Sequence, residues 1–357
     1  MGRRIAIVGG GIVGAVVASR LLEAAEAPQI TLIDAGPVAG GASAWSAGVH
    51  FPVGRSARVK ALGAAGARYY DGLAAQDATW PIHGFSMLVA AAPSRAAEVE
   101  ERCVGLESID PEALGGSPAD LPRPADLAPG LALWRLSACH VADVARVAQR
   151  HLAACRGRAD VREGTRVLAI DESASHATLR LSTGEHLETD VVVLAPGPWV
   201  NDPAFSPYTE SLGVRIKKVV ALHIDRPADR GDALYFPLED AFLAPAPHRG
   251  HWLFSYTCLQ WDVSPDELRH ASLGPREIDE AGCVLSRVAP GLLPAVRGGR
   301  VFCDAYAPER EPLVCRVGHH GRIVFVGAAN GSGYRFAPGL ALEVAGLLGL
   351  SPVSQGV

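Results

Sequence analysis

The sequence has few of the features that mark metal, redox or nucleic-acid-binding proteins. Its seven cysteines are scattered among 357 residues and include no Cys-x-x-Cys pair, so we expect neither a metal site nor a dithiol redox centre. An odd number of cysteines in a chain this long is typical of the reducing cytoplasm, which is the location we expect. The net charge of −5 gives no electrostatic argument for a nucleic-acid partner.

Long apolar runs are also missing. No stretch reaches the roughly 18 apolar residues that a membrane-spanning helix needs, so we expect no membrane span. Hydrophobic residues nevertheless make up 48% of the chain, which is enough for one large domain or two intertwined domains. The sequence leaves the oligomeric state open.

The sequence does contain a glycine-rich turn between a short apolar strand and a helix. Residues 5–8 (IAIV) predict a buried parallel strand, and the alanine- and leucine-rich segment that follows the turn predicts a helix. Gly9, Gly11 and Gly14 stand between them as Gly-x-Gly-x-x-Gly, and a second predicted strand, QITLID, ends in Asp34. This combination is the dinucleotide-binding fingerprint.

Each residue of the fingerprint has a physical reason. Gly9 allows the tight turn, Gly11 lets the backbone approach a pyrophosphate, and Gly14 lets the helix pack closely on the strand. The helix N-terminus supplies amide donors at a positive dipole end. Asp34 can accept hydrogen bonds from a ribose. The fingerprint alone does not separate NAD from FAD.

Two later junctions between a strand and a glycine-rich loop favour FAD. The loop AGPVAGGASAWSAGVHFP interrupts the regular βα repeat of an NAD domain, and VVVLAPGPWV and GRIVFVGAANGSGYRFAPG each run from a buried strand into glycines. In an open α/β sheet such junctions meet at one crevice. Three junctions spread along the chain therefore favour one long cofactor that is contacted from several sides.

The order of GGGIVG, GASAWSAG, TDVVVLAPGPWV, PEREPLV and GSGYRFAPG resembles the FAD-dependent D-amino-acid oxidase superfamily, and most closely its glycine oxidase and sarcosine oxidase branch. The resemblance implies an α/β fold, α+β overall, with a Rossmann-type FAD-binding domain and an antiparallel-sheet substrate domain. It assigns residues 1–80, 140–215 and 301–357 to the FAD-binding domain. It assigns residues 81–139 and 216–300 to the substrate-binding domain.

The resemblance also implies a chemistry. Enzymes of this branch oxidise the C–N bond of an amino acid or an N-substituted amino acid: flavin N5 takes a hydride or its equivalent, and the imine hydrolyses. O2 then reoxidises the flavin and yields hydrogen peroxide. Cleavage of an N-carboxymethyl amine to glyoxylate and a free amine is one concrete reaction. A dehydrogenase that passes electrons to a quinone or a partner protein, and a non-catalytic flavin-binding protein, stay open.

The resemblance assigns the substrate anchor to the last glycine-rich loop. In the sarcosine oxidase branch, a lysine in Gly-Phe-Lys-Phe-Ala-Pro binds the substrate carboxylate, and Arg335 occupies the matching position. Arginine can bind a carboxylate through two parallel hydrogen bonds. Tyr334 and His50 are further catalytic candidates, although a lone histidine is more often a satisfied structural residue. The segment from Ala337 onward is expected to open a helix.

Several positions bear on the substrate and on flavin attachment. Val49 and Phe242 are pocket candidates, with phenylalanine in place of a glycine oxidase tyrosine, and Asp304 is a candidate partner of the amine. Cys303 lies near the cysteine that binds flavin covalently in sarcosine oxidases. A buried structural cysteine is commoner, so we expect non-covalent FAD. The second arginine of glycine oxidase has no counterpart unless Arg310 turns inward, which puts plain glycine in doubt.

Lysines give two more expectations. Lys217 and Lys218 begin the predicted strand KKVVALHID; an inward-facing lysine is one alternative, but we expect both to be solvated edge charges. The sarcosine branch has a lysine that speeds the reaction of reduced flavin with O2. Leu253 lies near that point here, which favours a slower oxygen reaction or a different electron acceptor.

The expected cofactor-binding residues lie on the glycine-rich turns and on the loops that follow the predicted strands. They are Gly9, Gly11, Ile12, Val13, Gly14, Asp34, Ala35, Ala42, Ser43, Ser46, Ala47, Gly48, Val167, Ala195, Gly197, Trp199, Gly331, Ser332, Gly333, Tyr334 and Arg335.

Overall fold

A computed structural model describes residues 2–110, 126–228 and 231–350 of the protein. Its strands are β1 Arg4–Val8, β2 Gln29–Ile33, β3 Val49–His50, β4 Ile82–Ala91, β5 Leu106–Ile109, β6 Ala132–Ala142, β7 Ala159–Arg162, β8 Val167–Glu172, β9 Ala177–Leu181, β10 His186–Thr189, β11 Val191–Leu194, β12 Arg215–Ile224, β13 Ala233–Phe236, β14 Ala241–Ala246, β15 His251–Tyr256, β16 Val296–Tyr306, β17 Leu313–Val317 and β18 Ile323–Gly327.

The helices are α1 Ile12–Leu21, α2 Ala42–Trp45, α3 Ala57–Gln76, α4 Ala96–Arg102, α5 Val144–Cys155, α6 Ser206–Thr209, α7 Pro265–Leu268, α8 Pro275–Val288 and α9 Gly333–Leu347. Short 3₁₀ segments occur at Pro93–Arg95, Gly197–Asn201, Glu210–Leu212, Pro247–Arg249 and Pro290–Ala295. None of these described helices is long and apolar enough to cross a membrane.

Two compact units are each built from separate stretches of chain. The first unit comprises Met1–Ser46, Val144–Lys217 and Cys303–Val357, and the second comprises Ala47–Asp143 and Lys218–Phe302. The mixed α/β architecture agrees with the fold class predicted from the sequence.

The first unit contains a six-stranded sheet in the order β17-β18-β11-β1-β2-β7. All neighbouring strands in it are parallel except the β17–β18 pair. Strands β1, β11 and β18 are almost fully buried, as expected for parallel strands covered on both faces. In register, Val8 pairs with Leu194 and Leu194 with Phe325. The three strand-to-loop junctions therefore meet at one sheet edge, which confirms the prediction made from the sequence.

The second unit contains a nine-stranded sheet in the order β16-β12-β15-β14-β13-β4-β6-β3, with β5 paired to β6. Helix α8 packs on one face of this sheet, where Ala281 and Leu285 join a core with Leu222, Trp252 and Phe254. Each such side chain contributes roughly 1.5–3 kcal/mol when it is fully buried. Alternation along β12 directs the residues between these core positions to the opposite face.

The domain boundary predicted near residue 80 differs from the division in the structure. Residues 47–80 belong to the second unit rather than the first. The reason is backbone pairing: β3 pairs with β6, with Val49 opposite Val141. Val53 also forms a bridge with Cys103. These long-range contacts leave no local signal in the sequence.

Lys218 is not a solvated edge charge. Its Nζ pairs with the carboxylate of Glu277 on α8 and also donates to the Gln260 side chain at 3.0 Å. The Glu277 carboxylate accepts a second hydrogen bond from the Gly274 amide, at 3.0 Å. The lysine lowers the pKa of Glu277, because it favours the ionised carboxylate. The pair therefore fixes the first turn of α8 to β12.

Candidate active site

The first glycine-rich turn joins β1 to α1 in the first unit. Gly9 has a φ of +109°, and a Cβ there would lie 2.2 Å from the Ala195 carbonyl oxygen. A Cβ on Gly14 would lie 1.9 Å from the Gly9 carbonyl oxygen. Both positions therefore exclude any side chain. Gly11 caps α1 and makes no side-chain hydrogen bond there, so no cap side chain covers the N-terminal end of the helix.

Asp34 follows β2 and organises the same turn. One carboxylate oxygen accepts from the Gly10 amide at 2.7 Å, and the other accepts from the Gly36 amide at 2.8 Å. A carboxylate offers about four acceptor positions, so capacity remains for ribose hydroxyls. The Thr165 amide donates to the Asp34 carbonyl at 2.9 Å. That bond brings the start of β8, with buried Val167, beside Asp34.

Two other predicted loops meet the same turn. Ser43, in α2, accepts a hydrogen bond from the Ile12 amide at 3.0 Å. Trp199 packs closely over Gly41. A Cβ on that glycine would lie only 2.8 Å from the indole ring. Gly197, after β11, has a φ of +55°. These contacts bring 42–43 and 195–199 to the N-terminal end of α1.

Most of the predicted cofactor-binding residues belong to the first unit. The exceptions are Ala47 and Gly48, which the structure places in the second unit. Gly48 is buried and has a φ of +67°, a conformation that favours glycine. The cofactor site therefore draws on three glycine turns of one unit that are far apart in the sequence.

The last of these turns leads into α9, and its helix begins earlier than predicted. We expected Ala337 to open the helix, but α9 begins at Gly333 and carries Pro338 in its interior. The proline lacks the N–H that would donate to the carbonyl of Tyr334. Tyr334 is nonetheless buried, with 4% of its surface exposed. Because α9 begins at Gly333, Arg335 lies in the first turn of a helix and not in a loop.

Arg335 is a buried cation, with 8% of its surface exposed. Its guanidinium carbon lies 4.5 Å from the ring centroid of Phe336, and Nη2 donates to the Ser332 hydroxyl at 3.2 Å. A cation in the first turn opposes the positive end of the helix dipole. Such a position suits a side chain that meets an anion.

A second buried charge centre lies in the same unit, where the sequence had predicted a solvated lysine. Lys217 is 6% exposed, and its Nζ lies 4.4 Å from the ring centroid of Tyr306. The hydroxyl of Tyr306 packs against Gly331. A Cβ on that glycine would lie 3.1 Å from the hydroxyl oxygen. Side chains alternate between the two faces of a strand, so Lys217 lies on the same face of β12 as Ala221. The apolar Ala221 was therefore the signal in the sequence that Lys217 faces inward.

Asp304 belongs to this centre. Its Oδ1 accepts from the Ala305 amide at 2.8 Å, and the Gly331 amide also donates to the carboxylate. Burial raises the pKa of Asp304, and the two amides and Lys217 oppose part of that rise. The net pKa is about 6. Although part of the residue reaches the surface, protein surrounds the carboxylate closely enough to desolvate it. Asp304 is therefore poised to exchange a proton near neutral pH.

His50, Val49 and Phe242 lie in the second unit. His50 is 1% exposed and stacks on His140, with ring centroids 4.7 Å apart and planes 12° apart. Burial lowers the pKa of His140 to about 4. Val49 and Phe242 pack against one apolar cluster that contains Tyr235. Val49 and Phe242 thus pack on the same cluster, and the catalytic role of His50 stays a prediction.

Two other predicted positions are now placed. Arg310 lies exposed in a turn with a φ of +56°, so it does not turn inward. Cys303 is buried, with 5% of its surface exposed. Lys217 is the lysine of the Lys217–Lys218 pair that is buried in the first unit.

A comparison with protein families identifies the family to which the chain belongs. The family described as "DAO: FAD dependent oxidoreductase" matches residues 4–347. The chain is an FAD-dependent oxidoreductase of the DAO family. The family comparison confirms FAD as the cofactor and confirms that the protein is an enzyme.

Solved structures show the same fold. This oxidoreductase is similar to glycine oxidase from Geobacillus kaustophilus, at 17% identity and a TM-score of 0.77, over 98% of this chain and 95% of that one. L-proline dehydrogenase from P. horikoshii has 16% identity and a TM-score of 0.80, over 99% and 95%. Iminodiacetate oxidase from Chelativorans sp. BNC1 has 19% identity and a TM-score of 0.74, over 99% and 97%. A search among curated proteins finds no match.

The residues of the first unit fit FAD. The turn at Gly9 and Gly14 leaves no room for side chains, so the backbone itself forms the cradle. The N-terminal end of α1 supplies amide donors for a pyrophosphate. Asp34 retains acceptor capacity for a ribose. These residues would hold the dinucleotide part of the cofactor.

Proposed function

We propose that this FAD-dependent oxidoreductase oxidises the C–N bond of an amino acid or an N-substituted amino acid, with Arg335 as the anchor of the substrate carboxylate. The buried guanidinium in the first turn of α9 carries the proposal. Burial of a cation costs free energy, and the helix dipole adds to that cost. A substrate carboxylate offsets both, because it forms two charge-assisted hydrogen bonds with the guanidinium.

Asp304 takes the role of proton acceptor in this proposal. A substrate amine arrives mainly as an ammonium ion, which holds no lone pair on nitrogen and cannot release a hydride to form an imine. The ionised Asp304 carboxylate accepts one ammonium proton and leaves a neutral amine. Arg335, bound to the carboxylate of the same substrate in this proposal, favours the transfer because a nearby cation lowers the pKa of an ammonium ion.

Bound FAD supplies the two-electron acceptor for the hydrogen on the substrate carbon. The chain's own residues hold the carboxylate, take up the amine proton and surround the reacting carbon with buried groups such as Tyr334. The imine then adds water and splits into a carbonyl compound and an amine. Reoxidation by O2, with formation of hydrogen peroxide, completes the proposed cycle.

The names of two similar structures support this substrate class. Glycine oxidase and iminodiacetate oxidase are named for substrates that carry an amine one carbon from a carboxylate. Iminodiacetate is itself an N-carboxymethyl amine, so cleavage of such an amine to glyoxylate and a free amine is the reaction we favour. Non-covalent attachment of FAD belongs to the same proposal, with Cys303 as a buried structural thiol.

A dehydrogenase is the second candidate. Leu253 is 1% exposed and apolar at the position where the sarcosine branch has its oxygen-activating lysine. L-proline dehydrogenase is among the structures with a similar fold. A dehydrogenase performs the same substrate oxidation but gives amine-dependent dye reduction with little peroxide.

Anaerobic mixing with a panel of amines and amino acids tests the proposal. N-carboxymethyl amines in the panel should bleach the flavin absorbance near ~450 nm, a band that the bound isoalloxazine provides. Admission of O2 then separates oxidase from dehydrogenase by peroxide yield. If no member bleaches the flavin, the proposal fails and a non-catalytic flavoprotein is favoured.

Arg335→Ala tests the anchor. It should raise KM for carboxylate substrates by about 30-fold or more, because loss of one partner of a buried charge pair costs about 2–5 kcal/mol. Arg310→Ala removes an exposed arginine of the same unit and should leave KM unchanged. An unchanged KM in Arg335→Ala would show that another group binds the carboxylate.

A further inference from the structure

The second unit carries a pair of histidines outside the site described above. His223 on β12 pairs with Leu253 on β15, so His251, two residues before Leu253, lies on the same sheet face as His223. The two rings are 4.2 Å apart between centroids, with planes 36° apart. In each ring, Nε2 is buried and has no hydrogen-bond partner among the described residues. Two buried polar atoms therefore point to a missing ligand.

A backbone contact fixes the tautomer of the His251 ring. Nδ1 of His251 lies 3.0 Å from the carbonyl oxygen of Arg249, a contact that requires an N–H on Nδ1. In the neutral ring, Nε2 then holds a lone pair, and proton uptake converts it to a donor. An anion at Nε2 would favour that uptake.

Two arginines lie near enough to lower the pKa of both histidines. The Nε of Arg249 donates to Nε2 of the neighbouring His248 at 3.2 Å. Arg249 is exposed, and Arg300 on β16 is 5% exposed. Burial, with a smaller contribution from Arg249, lowers the pKa of Arg300 to about 9. Burial also lowers the pKa of His223 to about 4, with smaller contributions from His251 and both arginines. The two guanidinium groups carry like charges, so an anion bound beside them would relieve their repulsion.

Other groups act on the same cluster through His248, in the turn before β15. Burial lowers the pKa of His248, and Asp143 raises it, while His83 and both arginines lower it. The pKa of His251 is lowered mainly by burial, and the carbonyl of Arg249 partly offsets that effect. Asp143 thus acts on His248, whereas the charged groups that act on the histidine pair itself are the two arginines.

We propose that His223, His251, Arg249 and Arg300 form a binding site for a small oxyanion, a carboxylate or a phosphate. The guanidinium groups donate N–H hydrogen bonds to the anion. Each imidazole takes up a proton and donates from Nε2. A metal ion is not favoured there, since no group of three or more ligating side chains occurs within residues 2–110, 126–228 and 231–350. The inference does not rest on the proposed amine oxidation, although the two histidines share a sheet face with the pocket candidate Phe242.

Calorimetry of the FAD-loaded enzyme tests the site without any amine substrate. Inorganic phosphate and succinate are titrated separately at pH 6 and low salt, in two buffers of different ionisation enthalpy. We expect binding of at least one probe, with proton uptake revealed by the buffer dependence. Phosphate alone, succinate alone or both would each support the site and identify its preferred oxyanion. No binding of either at about 10 mM would overturn the inference.

Variants locate the binding. Arg249→Gln, at an exposed position that leaves the core intact, should weaken the Kd by about tenfold, equivalent to 1.4 kcal/mol. His251→Gln should reduce the proton uptake. Arg287→Gln changes an exposed arginine on α8, which packs on the opposite sheet face, and should change nothing. Binding that disappears in Arg335→Ala and persists in Arg249→Gln would belong to the substrate anchor and would refute the second site.

Discussion

Asp304→Asn should remove the acid limb of the pH–rate profile. Burial raises the pKa of Asp304 to about 6, and the ionised form is the proposed base. About 90% of the carboxyl groups are ionised at pH 7 and about 10% at pH 5, so kcat/KM should fall about ninefold between them. The asparagine variant cannot ionise, and its kcat/KM at pH 8 should be about 10²–10⁴-fold lower.

Lys217→Met provides a second, opposite test of the same reasoning. Lys217 stabilises the ionised carboxylate, so its loss should move the midpoint of the acid limb above pH 6. Asp279→Asn changes an exposed aspartate on α8 and should leave the profile unaltered. Flavin content and Tm are measured for every variant to exclude misfolding. An acid limb that keeps its midpoint in Asp304→Asn would refute Asp304 as the base.

Three further predictions concern the cofactor and the fold. Gly14→Ala should lower FAD content, since its Cβ would lie 1.9 Å from a carbonyl oxygen of the turn, whereas Gly346→Ala meets nothing and should retain full absorbance. Acid precipitation should release all flavin into the supernatant; retention in the pellet would indicate attachment at Cys303. Glu277→Gln should lower stability by about 1–3 kcal/mol at pH 7, as judged by Tm, because it breaks the contact with Lys218. That difference should shrink as pH falls from the ordinary glutamate pKa of 4.5 through the lower pKa of the folded state, because the carboxylate is then protonated in both states.

The local elements of the first unit could be predicted closely. The apolar segment IAIV became β1 from Arg4 to Val8, and VVVL became β11 from Val191 to Leu194. The hairpin turned at Gly184 also forms, with β9 paired to β10. Strand length, continuous hydrophobicity and turn residues are local properties, so a single sequence contains enough information about them.

The centre around Asp304 could be predicted only in part. Whether Lys217 is solvated depends on Tyr306, which lies far away in the sequence. The start of α9 was predicted wrongly because Ala-Pro-Gly is a common helix opening, whereas burial of Tyr334 and Phe336 extends the helix to Gly333. Tertiary packing decided both outcomes, and neither is visible in the local pattern.

The strand order of the first unit has a consequence for protein synthesis. β1 is made well before its neighbour β11 and the next strand β18. At about 5–20 residues per second, the edge of β1 stays unpaired for roughly 10–40 s until β11 is complete. During that interval the nascent strand carries unpaired amides and an apolar surface, which are the features that promote aggregation. Overproduction should therefore benefit from slow translation and from chaperones that bind the first segment.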